Sequence, residues 1–202
     1  MPSSPKISKA TMLETAFEIL KRDGTEAVNI KNIAKEIGCS TQPISWQFGS
    51  MDGLRSELAK KVMEYASAKA ADAALTAAEQ NSPTAVFAAV GCAYIDILFD
   101  EPNLAEFMRF NSRKATLGGI TADSNHKHIP EEMARELGIS VDDARKIMQC
   151  SITYVQGLSS MIITGMAEID RDTAKFMVKD HGARYISTFG VPVNRIRKIL
   201  FG

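Results

Sequence analysis

Apolar residues along this chain recur at the three- and four-residue spacing of amphipathic helices, and the runs are separated by glycine, proline and capping residues. Met1 to Ile7, with two prolines and two serines, reads as a flexible arm. Ser8 can then cap a first helix on which Leu13, Ala16, Phe17 and Leu20 form a buried stripe, and Asp23-Gly24 stops it. The stretch NIKNIAKEIGCSTQPISWQF, Asn29 to Phe48, holds two short helices. In the first, Ile30, Ile33, Ala34 and Ile37 stand at i, i+3, i+4 and i+7, a single apolar stripe. Asn29 suits its N-cap, and Gly38 stands where a helix commonly ends in a left-handed residue. Ser40 or Thr41 can cap the second helix, with Ile44 and Phe48 as its inward pair.

The same reading continues down the chain. Ser50 can cap a fourth helix carrying Leu54, Leu58, Val62 and Tyr65. The alanine-rich sequence that follows, free of glycine and proline from Leu54 to Ser82, predicts one rod to about Ala78, because alanine is the best helix former. Ser82-Pro83 opens a fifth helix to Phe99 with Phe87, Val90, Gly91, Tyr94, Ile95 and Leu98 on its apolar face. A short aromatic-rich helix follows, with Leu104, Phe107, Met108 and Phe110. Residues Ser112 to His128 show no clear period and read as a loop, and Pro130 to Leu137 as a short helix ended by Gly138. Ser140, with Asp143 three residues on, opens a helix to about Gly165, and a last helix spans Asp172 to Phe189. Gly190 to Gly202 reads as a tail. The expected fold is all-α, with a three-helix homeodomain-like helix-turn-helix domain at residues 1–50 and a larger helical bundle at 51–202.

Two short helices joined by a turn that begins at glycine make a helix-turn-helix. The inward positions of the second are taken by Ile44 and Phe48, so Thr41, Gln42, Pro43, Ser45, Trp46 and Gln47 point outward. Small hydroxyls, amides and an aromatic suit phosphates, base edges and thymine methyls. The second helix therefore reads as a DNA-recognition helix. Lys6, Lys9 and Lys31 are candidates for phosphate contacts, together with the backbone amides at the N-termini headed by Asn29 and Ser40.

The run from Thr11 to Leu54 resembles the TetR-type bacterial transcriptional regulators. The resemblance rests on an Ala-Phe-containing first helix ending at Gly24, on Ile33-Ala34 followed by Ile37-Gly38, and on the Cys39-Ser40 turn. Ile44, Phe48 and Leu54 complete it, and some members carry a segment much like residues 39–44. Three positions depart: Ser45 stands where the family usually has tyrosine, Gln47 where it often has histidine, and Met51 where it often has lysine on a phosphate. The resemblance implies a repressor that binds double-stranded operator DNA and is released by a small-molecule inducer; the cytoplasmic location is expected from the unpaired cysteines and the lack of a bilayer-length apolar run. The resemblance also implies an inducer pocket in the C-terminal domain, for which Tyr94, Phe107, Met108, Phe110 and Tyr154 are candidates, although plain core packing would use the same side chains.

Composition adds little to the DNA reading and narrows the rest. Acidic and basic residues balance at 24 each over 202 residues, so a polyanion-binding charge has to be local. The first 62 residues carry nine basic and seven acidic side chains, a weak excess. Cys39, Cys92 and Cys150 are odd in number and match no metal or disulfide spacing, which points to free thiols. No apolar run long enough for a bilayer was expected, so no membrane partner. No phosphate-binding glycine loop, nucleophile elbow, zinc-helix motif or paired-carboxylate arrangement occurs. Neither a catalytic residue, a metal site nor a cofactor is therefore expected; His126 and His128 have no third ligand in view.

Small residues on the Ser140 and Asp172 helices suit close approach to a second copy in a four-helix interface. Its candidates are Ser151, Val155, Leu158, Ser159 and Ile162 from the first helix and Met177, His181 and Tyr185 from the second. The alternative is a helical small-molecule-binding protein or enzyme whose first three helices are only structural.

Overall fold

The computed structural model of the chain describes residues 7–111 and 128–202, apart from the side chains of Phe110 and Asn111. Residues 1–6 of the expected arm, with Lys6, and residues 112–127 of the expected loop, with His126, lie outside the described residues. The described residues form ten α-helices and no strand. They are α1 (Lys9–Asp23), α2 (Ile30–Ile37), α3 (Gln42–Phe48), α4 (Met51–Ala78) and α5 (Pro83–Asp100). After these come α6 (Pro102–Asn111), α7 (Ile129–Leu137), α8 (Val141–Ile163), α9 (Arg171–Ser187) and α10 (Val193–Phe201). A short 3-10 turn, Thr25–Ala27, joins α1 to α2. The chain divides into two compact units, Met1–Tyr65 with Glu101–Ser112, and Ala66–Asp100 with Arg113–Gly202. The first unit thus extends past residue 50 and takes in the start of α4 and all of α6.

Local chemistry sets the helix ends of the first unit. The Ser8 hydroxyl accepts the Thr11 N–H at 3.0 Å. Asn29 Oδ1 accepts the Asn32 N–H at 2.9 Å, while the side-chain amides of Asn29 and Asn32 both donate to the Ala27 carbonyl. Gly38, at φ +77°, ends α2 in a conformation that a side chain would disfavour. Ser50 Oγ accepts the Gly53 N–H at the head of α4. The core beneath draws Met12, Phe17 and Leu20 from α1, Ile33 from α2, Ile44 from α3, Leu54 and Leu58 from α4, and Leu104 and Phe107 from α6. Each such burial stabilises by roughly 1.5–3 kcal/mol. At the end of α1, Lys21 pairs with Glu101 at 2.7 Å, and Asn103 donates to the Lys21 carbonyl at 2.9 Å, which fastens α6 to α1.

In the second unit α5 packs against α7, α8, α9 and α10. By length and composition α5 could cross a membrane, contrary to the expectation that no run would. In this fold its Cys92 and Ile95 are buried with Val155, Leu158, Ala174 and Val178. The expected tail is a further correction. Residues 193–201 form α10, whose Ile196 and Leu200 are buried with Met133, Leu137, Ile147 and Ala183. Its polar residues, Asn194, Arg195, Arg197 and Lys198, stay exposed, the division an amphipathic helix requires.

Replacing Asn29 by alanine removes the α2 cap and is expected to destabilise the protein by about 1 kcal/mol. Urea unfolding checks this against Gln42→Ala, which removes no buried contact and is expected to leave the midpoint unchanged.

Candidate nucleic-acid interface and ligand cavity

Helix α3 is anchored from one side. Ile44 is fully buried and Phe48 half-buried, whereas Thr41, Gln42, Ser45 and Gln47 are exposed and Trp46 is 79% exposed. Pro43 is half-buried. Thr41 occupies the N-cap position but its hydroxyl makes no capping bond, and its backbone is helical instead of extended. Pro43, near the head of the helix, brings no N–H, so one fewer amide there needs an acceptor. The Ser45 hydroxyl turns back and donates to the Thr41 carbonyl at 3.2 Å. Ser40 is exposed just before the helix.

The cations around α3 differ in their freedom. Lys9 lies 3.8 Å from Glu57 and its ammonium sits over the Phe48 ring. Lys61 pairs with Glu14 and Lys60 with Glu57. Arg22 donates to Asp23 and in a fork to Glu36; these bonds hold both carboxyls below the usual carboxylate range. Among the described residues Lys31, Lys35 and Arg55 are exposed and have no carboxylate within ion-pair distance. Lys35 and Arg55 were not singled out in the sequence; Lys35 stands one helical turn after Lys31, and that i, i+4 spacing was the available signal. The Asn29 side chain caps α2 as expected, so any contact there falls to the backbone amides.

Within the second unit, α5, α7, α8, α9 and α10 line a partly open cavity of about 60 Å³. The face of α5 expected to be apolar supplies Phe87, Val90, Gly91 and Tyr94. Gly91, Ser151 and Gly182 are among the small residues of its wall; a Cβ at Gly91 or Gly182 would already touch Val178 or Leu200. Of the four candidate ligand residues whose side chains are described, only Tyr94 lines the cavity. Phe107 is buried in the core of the first unit and Met108 packs against that core, because α6 belongs there. The Phe110 side chain lies outside the described residues. Tyr154 instead stacks on His181, with ring centroids 3.9 Å apart and planes 2° from parallel. A second, wider depression of about 350 Å³ has alanine walls together with Asp96, Lys175 and Lys179.

The eight candidate dimer residues separate in the same way. Val155 and Leu158 are buried within the protomer against α5 and α9, and Ser151 lines the cavity, so these three face inward. Ser159, Ile162, Met177, His181 and Tyr185 are half-buried. Burial pushes the His181 imidazole below its ordinary range, and its Nε2 has no hydrogen-bond partner among the described residues.

Residues 12–58 match the sequence pattern described as bacterial regulatory proteins, tetR family. Among solved structures, that of RolR in complex with the ligand resorcinol superposes with a TM-score of 0.65 at 15% identity, over 94% of this chain and 91% of that one. A TetR-like transcriptional regulator from Rhodococcus sp. RHA1 superposes with a TM-score of 0.59 at 14% identity, over 93% of this chain and 98% of that one. No curated protein matches in sequence. The chain therefore carries the N-terminal helix-turn-helix domain of the tetR family and, over nearly its whole length, the fold of TetR-like transcriptional regulators.

Because folding lowers the His181 pKa, the unfolded chain binds that proton more readily. The stabilisation is complete above the unfolded value and declines as pH falls through it. Acidification from about pH 7.5 to 5.5, spanning the ordinary histidine pKa of about 6.5, is expected to destabilise the wild type more than His181→Phe, which keeps a ring against Tyr154. Urea unfolding of both proteins at each pH measures the difference; equal losses would place the imidazole in water.

Proposed function

We propose that this protein is a ligand-responsive transcriptional repressor. It binds a palindromic operator as a homodimer and is released by a small-molecule inducer held in the cavity of the second unit. The observation that carries the reading is α3: one fully buried residue holds it, and Thr41, Gln42, Ser45, Trp46 and Gln47 are left in solvent with no structural task that needs an exposed tryptophan. Each protomer inserts this helix into the major groove of one half-site, the two half-sites about 34–36 Å apart. Gln42 and Gln47 offer the paired donor and acceptor that match adenine, and Trp46 offers an apolar face for a thymine methyl. Lys9, Lys31, Lys35 and Arg55 stand to neutralise phosphates, with the α2 amides beside them. Met51 supplies no charge at the head of α4, which shifts that work onto Arg55.

The homodimer is proposed through the outer surfaces of α8 and α9, where Ser159, Ile162, Met177, His181 and Tyr185 are half-buried and Met161 and Phe176 are exposed. Repression, more than activation, accords with the family resemblance. The cavity supports the inducer, as does the ligand carried by the structurally similar RolR. An inducer acts by binding better to the protomer spacing that DNA does not accept. DNA then weakens inducer binding by the same factor.

Gln42→Ala and Trp46→Ala are each expected to lower operator affinity about tenfold or more, the scale of a lost base contact. Helicity and dimer mass should be unchanged, since neither side chain is buried. Titration of labelled operator by each variant, beside circular dichroism and light scattering, is the measurement. Normal binding by both would remove α3 from the interface.

A further inference from the structure

The walls of the cavity restrict what can enter it. None of its lining residues is charged. Thr84 is occupied, its hydroxyl donating to Glu136 at 2.5 Å and its N–H at 2.9 Å to the same oxygen. Gln156 is exposed. That leaves Tyr94 and Ser151, whose hydroxyls have no hydrogen-bond partner among the described residues, inside an otherwise aliphatic and aromatic lining. An anion in such a place loses its hydration and gains no counter-charge, and a cation has only the Glu136 carboxylate behind Thr84, already hydrogen-bonded; a hydroxyl or carbonyl gains two partners. Of the charged side chains of this unit, Glu136 stands behind the wall with one oxygen taken by both Thr84 donors, and Asp96, Lys175 and Lys179 lie at the wider depression. At about 60 Å³ the space corresponds to roughly four water-sized positions, enough for one ring.

We infer that the cavity takes an uncharged, compact ligand of about single-ring size, bearing one or two hydroxyl or carbonyl groups that pair with Tyr94 and Ser151. This rests on the reading of the cavity as the ligand site. Calorimetric titration and thermal denaturation of the full chain at pH 7 with four probes of similar size test it: 4-methylphenol, toluene, 2-furoate and 1-methylpyridinium. Both neutral probes are expected to bind and raise the melting temperature, 4-methylphenol the more tightly. The two ions should bind at least 100-fold more weakly. Ser151→Leu, which fills the cavity, should abolish binding of the neutral probes. Should that variant not fold, Tyr94→Phe serves in its place: it should weaken 4-methylphenol about three- to tenfold, the scale of one neutral hydrogen bond, and leave toluene unchanged. Binding of either ion as tight as that of 4-methylphenol, and sensitive to the cavity variant, overturns the ligand class while the site reading stands. Binding by none of the four overturns the site reading itself.

Discussion

A seven-residue helix cannot hold its shape in water by its own hydrogen bonds, since helices shorter than about 12–15 residues are marginal in isolation. Helix α3 persists because Ile44 is fully buried in a core that α1, α2, α4 and α6 complete between them. The rest of the first unit follows from that requirement. Asn29 and Gly38 fix where α2 starts and stops, and so where the chain re-enters the core at Ile44. Leu104 and Phe107 of α6 close the core from a part of the chain sixty residues away. With its inward side committed to Ile44 and Phe48, α3 has an outward side available for other tasks, and the chain places amides, hydroxyls and its single tryptophan there.

The second unit is built on a different constraint. Its central helix, α5, is apolar nearly all round because four other helices pack on it. Close packing of that many helices would ordinarily leave no room. Here a nearly nonpolar cavity remains where they converge, with Gly91, Ser151 and Gly182 in its wall. A cavity of this kind is a standing loss of packing energy, one that a bound ligand offsets.

Much of this was legible in the sequence because it depends on neighbours a few residues apart. The caps at Ser8, Asn29, Ser50, Ser82 and Ser140, the left-handed Gly38 and Gly138, the unbroken α4 and the exposure of Trp46 all follow from local spacing and local chemistry. What could not be read depends on which distant face each helix meets. Phe107 and Met108 look like pocket residues by type, yet α6 turns them into the first core. Val155, Leu158 and Ser151 look like a seam for a second chain, yet α5 and α9 already cover them. The C-terminal helix was readable from Val193, Ile196 and Leu200, but its basic residues gave it the look of a tail.

The central claim is that the exposed surface of α3 reads DNA sequence as one half of a pair. Titrating the full chain into a labelled fragment of the DNA upstream of its own gene tests this most directly, in excess random competitor and over a series of salt concentrations. The account predicts competitor-resistant binding by two protomers, with an affinity that falls as salt rises. Binding that random DNA abolishes at every salt concentration, or binding by a single protomer, would contradict it.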